Sequence, residues 1–324
     1  MNGGTRAVGS PGYEASADYV VARLRALGWR VRAQPVPFTL FRERRPARLE
    51  LSGNEPAEAA VLRYSGSEEA TGRATPVGRG CEPGDFDGFP AGSVAVALPE
   101  GCLTRAKVMA AQRAGAAGFV LAQPALRHPL SATLLGSGAR IPAVAVAGRV
   151  ARELERGRPT VEVRVDATTS HATARNVLAE LPRGDPGEVV MAGAHLDSVP
   201  EGPGINDNGS GVAALLGIAA RLRRSRAAPE RRVRLGFWAA EELGIVGSRR
   251  YVRGLGRDAR ERIRAYLNLD MVGSKGGRRY VYGGAGLDAG LRAARDAVGE
   301  LKPIDEQDAA SDELAFAAVL ALAC

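Results

Sequence analysis

His195-Leu196-Asp197-Ser198 is followed, twelve residues after His195, by Asp207-Asn208-Gly209-Ser210-Gly211. The pair Glu241-Glu242 and the segment Asn268-Leu269-Asp270-Met271 come next, so one His and several carboxylates share the 76 residues from His195 to Asp270. These are the residue types of a two-metal hydrolytic centre. A divalent metal that hydrolyses an amide needs His and carboxylate ligands and an open position for water. Two metals a few ångströms apart need a carboxylate that bridges them. Asp207 suits that role, because Gly209 and Gly211 let the backbone come close. A base must also take the proton of the attacking water without being spent as a ligand. Adjacent Glu241 and Glu242 offer one group for each task. Each stretch alone has a plainer reading: His-x-Asp as a structural pair, Glu-Glu as a solvated surface, Asp-Asn-Gly as a turn, Asp270 as the partner of an Arg. Their joint order, and their positions after strands, favour a site.

The elements that must carry these residues alternate. Residues 189–194 form an apolar run of the buried-strand type, 211–224 a helix, 232–240 a strand, 244–253 a helix and 264–271 a strand. Such alternation predicts an α/β fold with a doubly wound, mainly parallel sheet, and ligands of such sheets sit at the carboxyl ends of strands. His195, Glu241, Glu242 and Asp270 fall at or just after those ends, and Asp207 precedes a helix N-terminus. Upstream, 14–27 reads as an amphipathic helix, with Ala17, Val20, Val21, Leu24 and Leu27 at three- and four-residue steps and Gly28 as its cap. A strand over 30–34 follows. The apolar runs then become short and are broken by Gly and Pro: 94–98, 118–122, 143–147 and 161–165, with one helix over about 104–114. The pattern predicts a β-rich unit, 46–167, inserted into an α/β domain made of 1–45 and 168–324.

The composition allows this. The chain has 324 residues, of which 45% are hydrophobic and 5% aromatic, enough for two domains with close-packed layers. The net charge of +8 comes from 44 basic and 36 acidic residues. The Arg excess is spread along the chain and reads as a solvated surface rather than a nucleic-acid footprint. Cys81 and Cys102 lie 21 residues apart and Cys324 is the last residue. The pair could be a disulfide of an exported protein or two buried thiols. No signal peptide is visible after Met1. The longest apolar run, 314–324, is too short to span a membrane.

At this level of detail the chain resembles a family, the bacterial secreted co-catalytic zinc aminopeptidases of the branch that carries an inserted protease-associated (PA) domain. The stretches that carry the resemblance are Gly193-Ala194-His195-Leu196-Asp197-Ser198, Gly204-Ile205-Asn206-Asp207-Asn208-Gly209-Ser210-Gly211, Phe237-Trp238-Ala239-Ala240-Glu241-Glu242-Leu243-Gly244, Gly247-Ser248 and Asn268-Leu269-Asp270-Met271-Val272-Gly273-Ser274. Asn2-Gly3-Gly4-Thr5-Arg6 through Pro11-Gly12-Tyr13 is similar to the family's opening helix. Gly80-Cys81, Asp85-Phe86, Gly92-Ser93-Val94-Ala95, Cys102, Lys107 and Ala114-Gly115-Ala116-Ala117-Gly118 are PA-like. The resemblance covers almost the whole chain.

It implies that His195 and Asp270 hold one zinc, that Asp207 bridges two, that Glu242 holds the second, and that Glu241 is the general base. Asp197 would fix the ring of His195 through its other nitrogen, and the Asp207–Asn208 peptide would be cis. It also implies a secreted protein acting on the N-terminal residues of peptides. The family completes the Glu242 zinc with a second His, well downstream of a Ser-Asp-His-like segment and near a Tyr. Here that segment reads Ser311-Asp312-Glu313-Leu314-Ala315-Phe316, and neither the His nor the Tyr follows within the 324 residues. His128 lies in the insert and His171 precedes the catalytic strand; neither matches the missing ligand by position. The expectation is a chain incomplete at its C-terminus and clipped at its start: a fragment, a mis-called gene start or a pseudogene product. It would hold one zinc well and the second weakly, with 314–322 as an exposed apolar end. Two rivals follow: a catalytically inactive binding or remnant protein of the same fold, and a single-zinc glutaminyl cyclase-like enzyme. Oligomeric state is left open.

Overall fold

Ser10 opens the first helix, α1 (Pro11–Ala26): its hydroxyl accepts the Tyr13 N–H, and Pro11 supplies a helical φ where no N–H is needed. The computed structural model describes residues 4–51, 56–134, 136, 138–156, 158–274, 279–281, 301–303, 311–312 and 315–316. The chain divides into two units, one of Met1–Phe38 with Ala172–Cys324, the other of Thr39–His171. α1 buries Tyr13, Ala17, Val20 and Leu24, one face of the helix. Gly28, at φ +75°, ends it. β1 (Arg30–Leu51) is far longer than the strand expected over 30–34. Pro35 and Pro37 lie within it; both are exposed while Val36 and Phe38 between and beyond them are buried. The two-residue period continues at Ala47, Leu49 and Leu51, all buried.

The unit of Thr39–His171 is built on β2 (Ala60–Val61), β3 (Glu69–Pro76), β4 (Val94–Ala97), β5 (Gly118–Gln123) and β6 (Ala143–Ala147). β3, β4, β5 and β6 are parallel neighbours in that order, and β2 is antiparallel to β6. Helix α2 (Thr104–Arg113) precedes β5, and α3 (Gly148–Arg156) follows β6. Both pack on β5, and every residue of β4 and β5 is buried, as strands covered on both faces must be. Val94, Val96, Val120, Val144, Val146, Leu154, Val161 and Val163 form the core. Cys81 and Cys102 are joined, with Cα atoms 5.8 Å apart. β7 (Thr160–Glu180) returns the chain to the other unit.

There, β8 (Asp185–His195), α4 (Gly209–Arg224), β9 (Arg231–Trp238), α5 (Val246–Arg253), α6 (Arg257–Glu261) and β10 (Ile263–Asn268) follow one another. The sheet order is β10-β8-β9-β7; the first three strands are parallel and β7 is antiparallel to β9. The mainly parallel α/β sheet expected from the alternation is what forms. A further parallel pair joins β11 (Arg279–Val281) and β12 (Leu301–Pro303). Register puts His195 beside Trp238 and Gly193 beside Asn268, so three loops leave one edge of the sheet together. β9 and β10 stop two or three residues short of the ends expected at 240 and 271. Ala240 at φ +56° and Met271 at φ +51° turn the chain where an apolar reading continued it. Asp270 thus stands in a turn after its strand.

Under that edge lies an aromatic cluster. Phe316 stacks on Tyr266 at 3.7 Å between ring centroids; both pack with Trp238, and Tyr251 packs on Trp238 and Phe316. Trp238 Nε1 donates to Tyr266 Oη at 2.8 Å, and that hydroxyl donates to Asn268 Oδ1 at 2.9 Å. Gly193 leaves room for the pair, since a Cβ there would sit 2.2 Å from Tyr266 Oη. Ala315 and Phe316 are buried, against the expectation of an exposed apolar end. Their partners are rings distant in sequence, which a local apolar run does not reveal. The rest of 314–322 lies outside the described residues.

Candidate metal centre

β8 ends at His195, whose side chain is 1% exposed. Its Nδ1 faces the Asp197 carbonyl oxygen at 3.1 Å, which fixes the ring. Its Nε2 is 3.0 Å from Asp207 Oδ1, 3.5 Å from Asp270 Oδ1 and 4.0 Å from Glu241 Oε2. Asp207 arrives on the loop between β8 and α4, and its peptide bond to Asn208 is cis, as the resemblance implied. Asn208 caps α4 by accepting the Gly211 N–H at 3.0 Å, and donates to Leu269 O at 2.8 Å. One side chain thereby ties the Asp207 loop to the Asp270 loop. Gly211 permits the approach: a Cβ there would lie 2.3 Å from Leu269 O.

Glu241 and Glu242 follow β9, and their backbone N–H groups donate to Asp197 Oδ1 at 3.1 Å and Oδ2 at 3.2 Å. Asp197 is fully buried. Its carboxylate lies 3.7 Å from His195 Nδ1, so its hydrogen bonds go to the glutamate pair while its carbonyl orients the imidazole. One ligand atom from each of His195, Asp207 and Glu242 falls within 4.8 Å of the others. Asp270 accepts the Ser311 hydroxyl at 2.8 Å through Oδ2. Its Oδ1 is buried without a hydrogen bond. A buried carboxylate oxygen in that state is costly unless a cation completes it, and imidazole nitrogen with carboxylate oxygen is a donor set that zinc accepts.

Three supports were not singled out in the sequence as parts of the site. Arg6 clasps the loop after β8: its N–H donates to Ser198 Oγ at 3.0 Å, Nε to Leu196 O at 3.1 Å, Nη2 to Gly204 O at 2.9 Å, and Nη1 to Pro203 O. Ser311 holds Asp270. Asp312 is fully buried and accepts the Ser248 hydroxyl at 2.5 Å; burial pushes its carboxyl up to about 7. Ser311 and Asp312 had served only as a landmark for a ligand further on.

The electrostatics match a site designed around a cation. Burial pushes Glu241 up to about 9, and Asp312, Asp197 and Glu242 add to this while His195 opposes it. Burial disfavours a charged His195, but Asp197, Asp207 and Asp270 outweigh it and raise its pKa. Without metal the cluster therefore keeps protons at neutral pH, on His195, whose nitrogen a zinc ion needs free, and on Glu241 beside it. Zinc binding at pH 7 should release protons, seen as a dependence of the calorimetric binding enthalpy on the buffer's ionisation enthalpy. An enthalpy that is the same in all buffers would contradict the proton inventory.

Residues 176–319 match the model of peptidase family M28, and residues 70–154 that of the PA domain. A probable lipoprotein aminopeptidase of Mycobacterium tuberculosis is 39% identical over 331 residues, which cover 99% of this chain and 64% of that protein. The chain thus spans just under two thirds of that relative's length. Among solved structures, an aminopeptidase from Aneurinibacillus sp. strain AM-1 superposes with a TM-score of 0.87 at 28% identity, over 97% of this chain and 79% of that one. A zinc aminopeptidase from Bacillus subtilis shares the fold, with a TM-score of 0.78 at 24% identity over 97% of this chain and 78% of that one.

Proposed function

We propose that the protein is a zinc-dependent aminopeptidase, a reading supported by the match of residues 176–319 to the model of peptidase family M28 and of residues 70–154 to that of the PA domain. The observation that carries the reading is the convergence of His195, Asp207 and Glu242 within 4.8 Å, beside a buried Asp270 oxygen that accepts no hydrogen bond. In this reading His195 and Asp270 would hold one zinc, Glu242 would hold the other, and Asp207 would serve both. Zinc, when bound, supplies the Lewis acidity that polarises a carbonyl and makes water acidic.

The chain's own residues do the rest. Glu241, held by its backbone N–H on Asp197, takes the proton of the attacking water and passes it to the departing amine. Asp197 keeps the two glutamates in step and turns the imidazole of His195 outward. Exopeptidase rather than internal cleavage is the reading that the aminopeptidase names of the mycobacterial relative and the Aneurinibacillus structure support. The joined Cys81–Cys102 and the export implied by the word lipoprotein in the mycobacterial relative's name support an extracytoplasmic setting. No helix among the described residues is long and apolar enough to cross a membrane.

The test compares leucine p-nitroanilide with its N-acetyl form. Release of p-nitroaniline from the first alone is the expected result. Equal cleavage of both would remove the aminopeptidase reading.

A further inference from the structure

Lys107 lies on α2 in the Thr39–His171 unit with its side chain fully buried. A buried ammonium needs acceptors, and this one has two carbonyls, Arg79 O at 2.5 Å and Glu100 O at 2.6 Å. Its third contact is Cys81 Sγ at 3.3 Å. Cys81 is bonded to Cys102, and both cysteines are half-buried rather than sealed in the core. A disulfide sulfur is a weak acceptor, whereas a thiolate at the same place would be a strong one for this N–H. The two sulfurs are thus chemically unequal: the ammonium sits against Cys81. Burial lowers the Lys107 pKa, and the Glu100 and Asp85 carboxylates act in the opposite direction, towards the charged form.

We infer that Cys81–Cys102 is a polarised, exchangeable disulfide whose reactive partner is a low-molecular-weight thiol. The incoming thiolate attacks Cys102 Sγ. The S–S bond breaks, and its electron pair leaves on Cys81 as a thiolate held by the Lys107 ammonium. The product is a mixed disulfide on Cys102. A second thiolate attacks the mixed disulfide, giving the small-molecule disulfide and a free Cys102, so two thiols supply the two electrons. A thiol whose pKa is lowered by a neighbouring lysine is the better leaving group. Reduction would therefore expose Cys81 as a modification site for oxidants and alkylating agents, in a unit that the proposed hydrolytic chemistry does not use.

The experiment is trapping with glutathione at pH 7, in a Cys324→Ser background to prevent exchange with the third cysteine. Free thiols are blocked with a maleimide at low pH, and peptides are mapped by mass. Glutathione on Cys102 with maleimide on Cys81 is the expected pattern. Lys107→Met should slow the first step and erase the preference. The slowing is expected to be on the order of several-fold, because a thiol without the neighbouring ammonium is a poorer leaving group. Glutathione found mainly on Cys81, an even partition in the unmutated lysine protein, or a bond inert to millimolar glutathione would each overturn the inference. The regiochemistry is read without the lysine variant, so a misfolded Lys107→Met protein does not shelter it.

Discussion

Glu241→Gln should lower turnover of an N-terminally free substrate by about 10²–10⁴-fold, the usual contribution of a positioned general base. Glutamine keeps the shape of the side chain and the backbone N–H on Asp197, but it cannot take a proton. The loss should appear in kcat, because the group acts on the attacking water rather than on the bound substrate. Zinc content should stay unchanged, since Glu241 Oε2 stands 4.0 Å from His195 Nε2 and is assigned no metal. The metal-free protein should be no less stable than the parent. Glu241 is held protonated up to about 9 by burial, and a neutral amide replaces a neutral acid. A variant with more than a tenth of parental kcat would deny Glu241 the role of base.

Asp207→Ala should be equally damaging through a different route. Asp207 is the carboxylate nearest His195 Nε2, at 3.0 Å, and the one proposed to touch both metals. Losing even an outer support of a metal ligand costs about 10–100-fold in affinity, and losing a direct ligand costs at least that. The expected result is a protein that retains at most one zinc at micromolar metal and shows no measurable turnover. Folding should survive. The side chain is 47% exposed, and the loop is held by Asn208 on Gly211 and Leu269 rather than by Asp207. Full zinc content in the variant, by metal analysis after gel filtration, would show that the bridge has been assigned to the wrong residue.

Much of the site was legible because the reacting residue types stand next to strand ends. An apolar run such as 189–194 announces a buried strand, and His195 directly after it has one place to go in a parallel sheet. What surrounds those residues was less visible. The bonds from Asp197 to the N–H groups of Glu241 and Glu242 form only when two loops 44 residues apart meet. The clasp of Arg6 on the loop that ends at Gly204 spans 198 residues. Side-chain to backbone bonds of this kind leave no spacing to read. Strand ends were missed at Ala240 and Met271 because left-handed backbone at an apolar residue has no signature in residue type. β1 runs on past the expected end at Gln34 through Pro35 and Pro37, each of which sits at an exposed strand position. α3 escaped because it is short: nine residues directly after a strand, with only Ala151 and Leu154 as buried anchors, leave little more than two turns of period to read. The cysteine pair could be counted but not joined, because spacing alone does not show where two thiols meet.

The central claim is that zinc held by this cluster drives removal of N-terminal residues. It is tested most directly by stripping the purified protein with a chelator, then titrating zinc back while recording bound metal and leucine p-nitroanilide hydrolysis in the same samples. The account predicts no turnover without metal, and recovery that follows zinc bound in the parent but not in Glu241→Gln. Turnover that persists in the stripped protein, or zinc that binds the parent without any return of activity, would contradict it.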